Sequence, residues 1–188
     1  MDQYLQQSPV IDWEHSDILA TAQKLACYSG SKFGTARNCF EFVRDEILHS
    51  GDHQLSPITC RASEVLAAGT GYCFAKSHLL AALLRANGIP AGLCYQRLQL
   101  DEAAGRFCLH GLNAIYLNAY GWVRIDARGN KPGVTAEFVP PQERLAYTAS
   151  APGEKDLPEI YSEPLPQILS LLQDYDTCEQ VEEHLPDL

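Results

Sequence analysis

The sequence predicts an α+β fold in which helices come first and an antiparallel sheet follows. Three observations carry this expectation. Apolar residues recur at helical spacing from Ser16 to Ala86, Asn87-Gly88-Ile89-Pro90 ends that pattern, and from Ala91 the apolar period falls to two. Helices and strands segregated in this way argue against a doubly wound parallel sheet. Gly69-Thr70-Gly71 likewise lacks the Gly-Lys-Ser/Thr ending that a phosphate-cradling loop needs.

The elements follow in order. Ser16 to Ala26 reads as a helix with Ser16 as cap, Asp17 in the first turn, an apolar stripe of Ile18, Leu19, Ala22 and Leu25, and Gly30 as its stop. Thr35 to His49 repeats the pattern, with Thr35 as cap, Cys39, Phe42, Val43 and Ile47 on one face, and Arg44 and Asp45 on a solvated one. His49 to His53 reads as a polar loop. Ala62 to Ala68 supplies one or two helical turns leading into Gly69 and Gly71, and Cys73 to Ala86 is the strongest helix signal, closed by a glycine cap and a proline stop. Three strands follow at Ala91 to Leu100, Phe107 to Leu117 and Trp122 to Ala127, separated by Asp101 to Gly105 and by Asn118-Ala119-Tyr120-Gly121, the pattern of a meander. The proline-bearing stretch 131–188 is expected to wrap a core of about 16–130, with a short helix from Leu165 to Leu172. A chain of 188 residues with 46% hydrophobic content suits one well-cored domain, 1–188.

A net charge of -10 disfavours nucleic acid and anionic membrane surfaces as partners and leaves peptides, proteins and small amides. The N-terminal residues carry no basic and apolar pair of regions of the secretory kind, so the cytoplasm is the expected compartment. Seven scattered cysteines without a C-x-x-C pair are poor material for a disulfide framework or a zinc site, and most are expected to be buried apolar fillers.

Cys73 is the exception. It stands at the first residue of a helix, where unpaired N–H groups and the helix dipole favour thiolate over thiol. A thiol nucleophile needs a base, and the base needs a group that holds its tautomer; His110 and Asp126 on the following strands supply both residue types. If the connection between those strands holds three residues, Leu117 pairs with Gly121 and His110 and Asp126 become diagonal neighbours on one face; a two-residue loop puts them on opposite faces. His78, five residues past Cys73 on the helix, points elsewhere. A metal site of Cys73, Cys108 and His110 lacks the close ligand pair such sites begin with. A binding or scaffold protein without turnover is the rival reading, and it gives the three side chains no chemical part.

Ala62-Ser63-Glu64-Val65-Leu66 through Gly71-Tyr72-Cys73, then Leu83-Leu84-Arg85-Ala86-Asn87-Gly88-Ile89-Pro90-Ala91, resembles the nucleophile segment of the transglutaminase-like superfamily. Leu109-His110-Gly111-Leu112-Asn113-Ala114 and Trp122-Val123-Arg124-Ile125-Asp126 are similar to its histidine and aspartate strands. The resemblance implies a papain-like α+β core, a Cys73, His110 and Asp126 triad, and acyl transfer at an amide or peptide bond without a cofactor or metal. Two positions depart from the family pattern: Gly92 stands where arginine is frequent, and Ala127-Arg128 where Pro-Thr is frequent. The acidic calcium loops of animal transglutaminases are missing, so calcium dependence does not carry over.

Overall fold

The computed structural model describes residues 1–101, 103 and 105–188. After a short 3-10 turn, the elements run α1 (Ser16–Cys27), α2 (Lys32–Glu46), β1 (Leu48–His49), α3 (Ser50–His53), α4 (Ala62–Ala68), β2 (Thr70–Gly71) and α5 (Cys73–Ala86). They continue with β3 (Ala91–Asp101), β4 (Arg106–Leu117), β5 (Gly121–Ile125), β6 (Lys155–Asp156), α6 (Pro166–Asp174) and α7 (Cys178–Glu183). Of the separator predicted at Asp101 to Gly105, Glu102 and Ala104 lie outside the described residues.

Helix α5 organises the molecule because its sequence is apolar nearly all round, and a helix of that kind must be surrounded. Every residue from Cys73 to Arg85 is buried. Helices α1, α2 and α4 pack against it from one side, and β3 and β4 from the other. The sheet has the order β5-β4-β3-β6 with antiparallel pairing throughout, so the fold is α+β. A separate two-residue pair, β1 with β2, is parallel. Leu117 pairs with Gly121 and Asn113 with Ile125, so the β4–β5 connection holds three residues, the alternative that brings His110 and Asp126 to one face.

Several boundaries differ from the sequence expectation for local reasons. His15, not Ser16, caps α1, its Nδ1 accepting the Asp17 N–H at 3.4 Å. Helix α2 starts a turn before Thr35 because Ser31 Oγ accepts the Gly34 N–H at 3.1 Å, and it ends at Glu46, where Ile47 turns extended. Arg44 is not fully solvated: it forks onto Asp45 and donates to the Ala136 carbonyl at 3.1 Å. The predicted polar loop at 49–53 is instead the end of β1 and the turn of α3. The 131–188 segment holds β6 and α7 besides the short helix α6, and Ile168, Leu171, Leu172, Cys178 and Val181 join the same apolar cluster as α5. Among the described residues, no helix is long and apolar enough to cross a membrane.

Candidate active site

The Cys73 position is built from short-range signals. Gly69 ends α4 in the left-handed region (φ +66°), its N–H bonding the Val65 carbonyl at 2.9 Å. Thr70–Gly71 then pairs with β1, and Tyr72 serves as the N-cap of α5, so Cys73 becomes its first residue. The side chain sits at 8% exposure against a cavity of about 590 Å³.

Strand β4 approaches that helix start more closely than a side chain allows. A Cβ on Gly111 would lie 2.7 Å from Phe74 Cδ1 and 3.2 Å from Phe74 Cα, so glycine is required there. The Gly111 N–H reaches Cys73 Sγ at 3.5 Å, and the neighbouring His110 ring is hydrogen-bonded to the Cys73 thiol. His110 Nε2 meets Asp126 Oδ2 at 2.8 Å, which leaves Nδ1 as the ring atom for the sulfur. Asp126 follows the end of β5 and is fully buried, yet it is well served: Oδ1 accepts the Arg128 N–H and Oδ2 the Ala146 N–H, each at 3.1 Å.

The electrostatics follow from this geometry. Burial works against protonation of His110, but the charge of Asp126 and then that of Cys73, with hydrogen bonds to both, outweighs it and holds the imidazole above its ordinary value. Burial would raise Asp126, while His110 and the two backbone N–H groups bring it below the ordinary carboxylate value. The pair is therefore set up as imidazolium and carboxylate. Burial pushes the Cys39 and Cys94 thiols up to about 12 and those of Cys60 and Cys108 up to about 11.

A shell of residues that the sequence reading did not single out holds this pair. The Tyr147 ring stands edge-on to His110 at 5.0 Å between centroids. Gln96, directly across from His110 on β3, donates to the Tyr147 carbonyl at 3.2 Å and to Asp156 at 2.8 Å. Arg128 forks onto Asp52 at 2.5 and 2.8 Å, and Lys131 reaches the same carboxylate at 2.6 Å. Lys76, in the first turn of α5, donates to the Ile47 carbonyl; burial and then the Arg128 charge lower its pKa to about 7. A lysine among the buried residues of a largely apolar helix was the one visible signal of this network.

The remaining candidates fall outside it. His78 is buried with Nδ1 on the Cys60 carbonyl at 2.8 Å, away from Cys73 as expected. Cys108 lines the cavity, but among the described residues no group of three or more His, Cys, Asp or Glu side chains is placed to hold a metal. The two departures from the family pattern also have structural reasons. A side chain at position 92 would run into Ile160 and the Tyr161 carbonyl, and Arg128 is occupied by Asp52.

The model of the transglutaminase-like superfamily matches residues 20–127. No curated relative matches the chain. Among solved structures, a candidate cysteine protease from Cytophaga hutchinsonii is similar with a TM-score of 0.52 and 18% identity, over 66% of this chain and 40% of that one. The periplasmic domain of TgpA from Pseudomonas aeruginosa is similar with a TM-score of 0.50 and 18% identity, over 66% of this chain and 45% of that one. The chain thus spans less than half the length of either structure, and at this identity the likeness concerns the fold. With a helix-start cysteine, an antiparallel sheet packed on that helix and a family match over more than half its length, this chain belongs to the transglutaminase-like superfamily.

Proposed function

We propose that this chain is a thiol enzyme that cleaves or transfers an acyl group at an amide or peptide bond, with Cys73 as nucleophile, His110 as acid and base, and Asp126 as the group that orients it. The observation that carries the reading is the buried His110 ring, engaged on one side by the Asp126 carboxylate and on the other by the Cys73 thiol, at the wall of an open cavity. The Cys73 thiolate attacks the carbonyl carbon, the C=O electron pair moves to oxygen, and the backbone N–H of Cys73 at the helix start stabilises the charge that forms there. As the C–N bond breaks, His110 gives its proton to the departing amine. Water or a second amine then resolves the thioester. Asp126 keeps the ring in one orientation throughout and offsets the imidazolium charge.

Residues 1–188 act as one unit in this reading, because Tyr147, Glu182 and Leu185 from the C-terminal wrap line the same cavity as Cys73. Seven scattered cysteines without a C-x-x-C pair support a reducing compartment, the cytoplasm, and the charge of -10 supports peptides, proteins or small amides as substrates rather than nucleic acid. The test is acylation by p-nitrophenyl acetate followed by peptide mass mapping. The expected result is one acetyl group on the peptide that contains Cys73 and none in Cys73→Ala. Acetyl spread evenly over the seven cysteines would defeat the reading.

A further inference from the structure

The cavity holds a second histidine that the triad does not use. Pairing of β1 with β2 sets His49 beside Gly71, two residues before the nucleophile, and His49 lines the cavity together with Cys73 and His110. Its ring stands edge-on to Tyr72, the residue that precedes Cys73, at 5.5 Å between centroids. Nδ1 accepts the Asp52 N–H at 3.3 Å, so the ring proton resides on Nε2. Asp52 is itself anchored by Arg128 and Lys131, which fixes the turn that presents the ring. Nε2 has no hydrogen-bond partner among the described residues, and His49 stands in the wall of the cavity that holds Cys73 and His110.

The groups around His49 keep it neutral. Burial and then the charge of Arg128 lower its pKa to about 3, with Lys76 and His110 acting in the same direction and Asp52 against them. A neutral imidazole with a fixed N–H can stabilise a developing oxyanion without adding a second cation beside the His110 imidazolium.

We propose that His49 is a further catalytic residue, the second hydrogen-bond donor to the oxyanion formed when Cys73 is acylated. The inference rests on the proposed function and adds to it the donor that partners the Cys73 backbone N–H. During attack the S–C bond forms and the carbonyl pair moves to oxygen; on collapse that pair returns and the bond to the leaving group breaks. His49 keeps its proton through both steps, and the proton taken by an amine leaving group comes from His110.

The experiment compares acylation by p-nitrophenyl acetate with alkylation by iodoacetamide, which displaces iodide and forms no oxyanion. His49→Phe keeps a ring against Tyr72 but removes the donor; His49→Gln keeps an N–H. His49→Phe is expected to slow acylation of Cys73 by about 10²–10³-fold with alkylation near the wild-type rate, and His49→Gln to recover much of the loss. Acylation of His49→Phe at the wild-type rate overturns the assignment, as does a parallel fall of acylation and alkylation. A wild-type chain that alkylates at Cys73 but is never acylated overturns the proposed function and this inference together.

Discussion

The two halves of β4 differ in what their edges meet. From Asn113 to Ile115 the strand is paired on both sides, with β3 and with β5, and Tyr116 and Leu117 continue the pairing with β5. From Phe107 to Gly111 it is paired with β3 alone, and the other edge meets groups from outside the sheet: the Gly111 N–H meets Cys73 Sγ and the Leu109 N–H meets the Pro186 carbonyl. His110 lies in this second half. Reactive side chains can gather where β5 stops, because beyond that point the backbone and side chains of β4 are free to face a helix terminus and a cavity rather than another strand. The closed half supplies the register; the open half carries His110 to the start of α5.

Substitutions among the groups that meet the open half should therefore separate activity from stability. Cys73→Ala is expected to reduce turnover to background, a loss on the order of 10⁶-fold, while the denaturation midpoint stays near that of the wild type. Asp126→Ala is expected to cost less in kcat, on the order of 10⁴-fold, but far more in stability, about 3–5 kcal/mol, because it strands the buried His110 charge and the N–H groups of Arg128 and Ala146. Urea unfolding of both variants checks the reversal of rank. Equal destabilisation by the two would mean that the pair is not held as described.

Gly111→Ala comes next. The new methyl group would meet Phe74 backbone atoms at 3.2 and 3.3 Å, so strand and helix must part; a loss of about 1–3 kcal/mol is expected, with a slower Cys73 alkylation rate. An alkylation rate equal to the wild type would show that the close approach does not position His110. The smallest effect concerns pH. Asp126 is lowered on folding, so its contribution is present above the unfolded value of about 3.9 and fades as pH falls through the folded one. His110 is raised on folding, so its contribution is complete below the unfolded value of about 6.5 and fades as pH rises through the folded one. The stability advantage of the wild type over Asp126→Asn is therefore expected to peak between about pH 4 and 6.5 in urea titrations. A difference that stays constant as the pH is taken well below about 4 and well above about 6.5 would contradict the charged pair.

Helix α5 was legible at both ends because its signals are local: a glycine-bearing turn before Cys73, an apolar run from Leu79 to Leu84, and Gly88 with Pro90 after it. The His110 and Asp126 arrangement was legible only as a choice between two loop lengths, since one residue more or less inverts the facing of a strand. What escaped the sequence reading depends on contacts far apart in the chain. A two-residue parallel pair such as β1 with β2 has no periodicity of its own, so His49 read as part of a polar loop. Ala146 and Tyr147 reach the Asp126 and His110 pair from irregular backbone, where neither spacing nor residue type marks a partner. The early start of α2 shows a smaller version of the same effect, as Ser31 and Thr35 both suit a cap and only the side-chain bond to Gly34 decides between them.

The role of His110 beside Cys73 is open to direct measurement through the rate of iodoacetamide alkylation as a function of pH, with each of the seven cysteines followed separately by mass. In the wild type, the Cys73 peptide should label first and keep labelling well below the free-cysteine value of about 8.5, and in His110→Ala that advantage at low pH should vanish. Labelling of Cys73 that begins only near the free-cysteine value, with a profile that His110→Ala leaves in place, would contradict a working pair of Cys73 and His110.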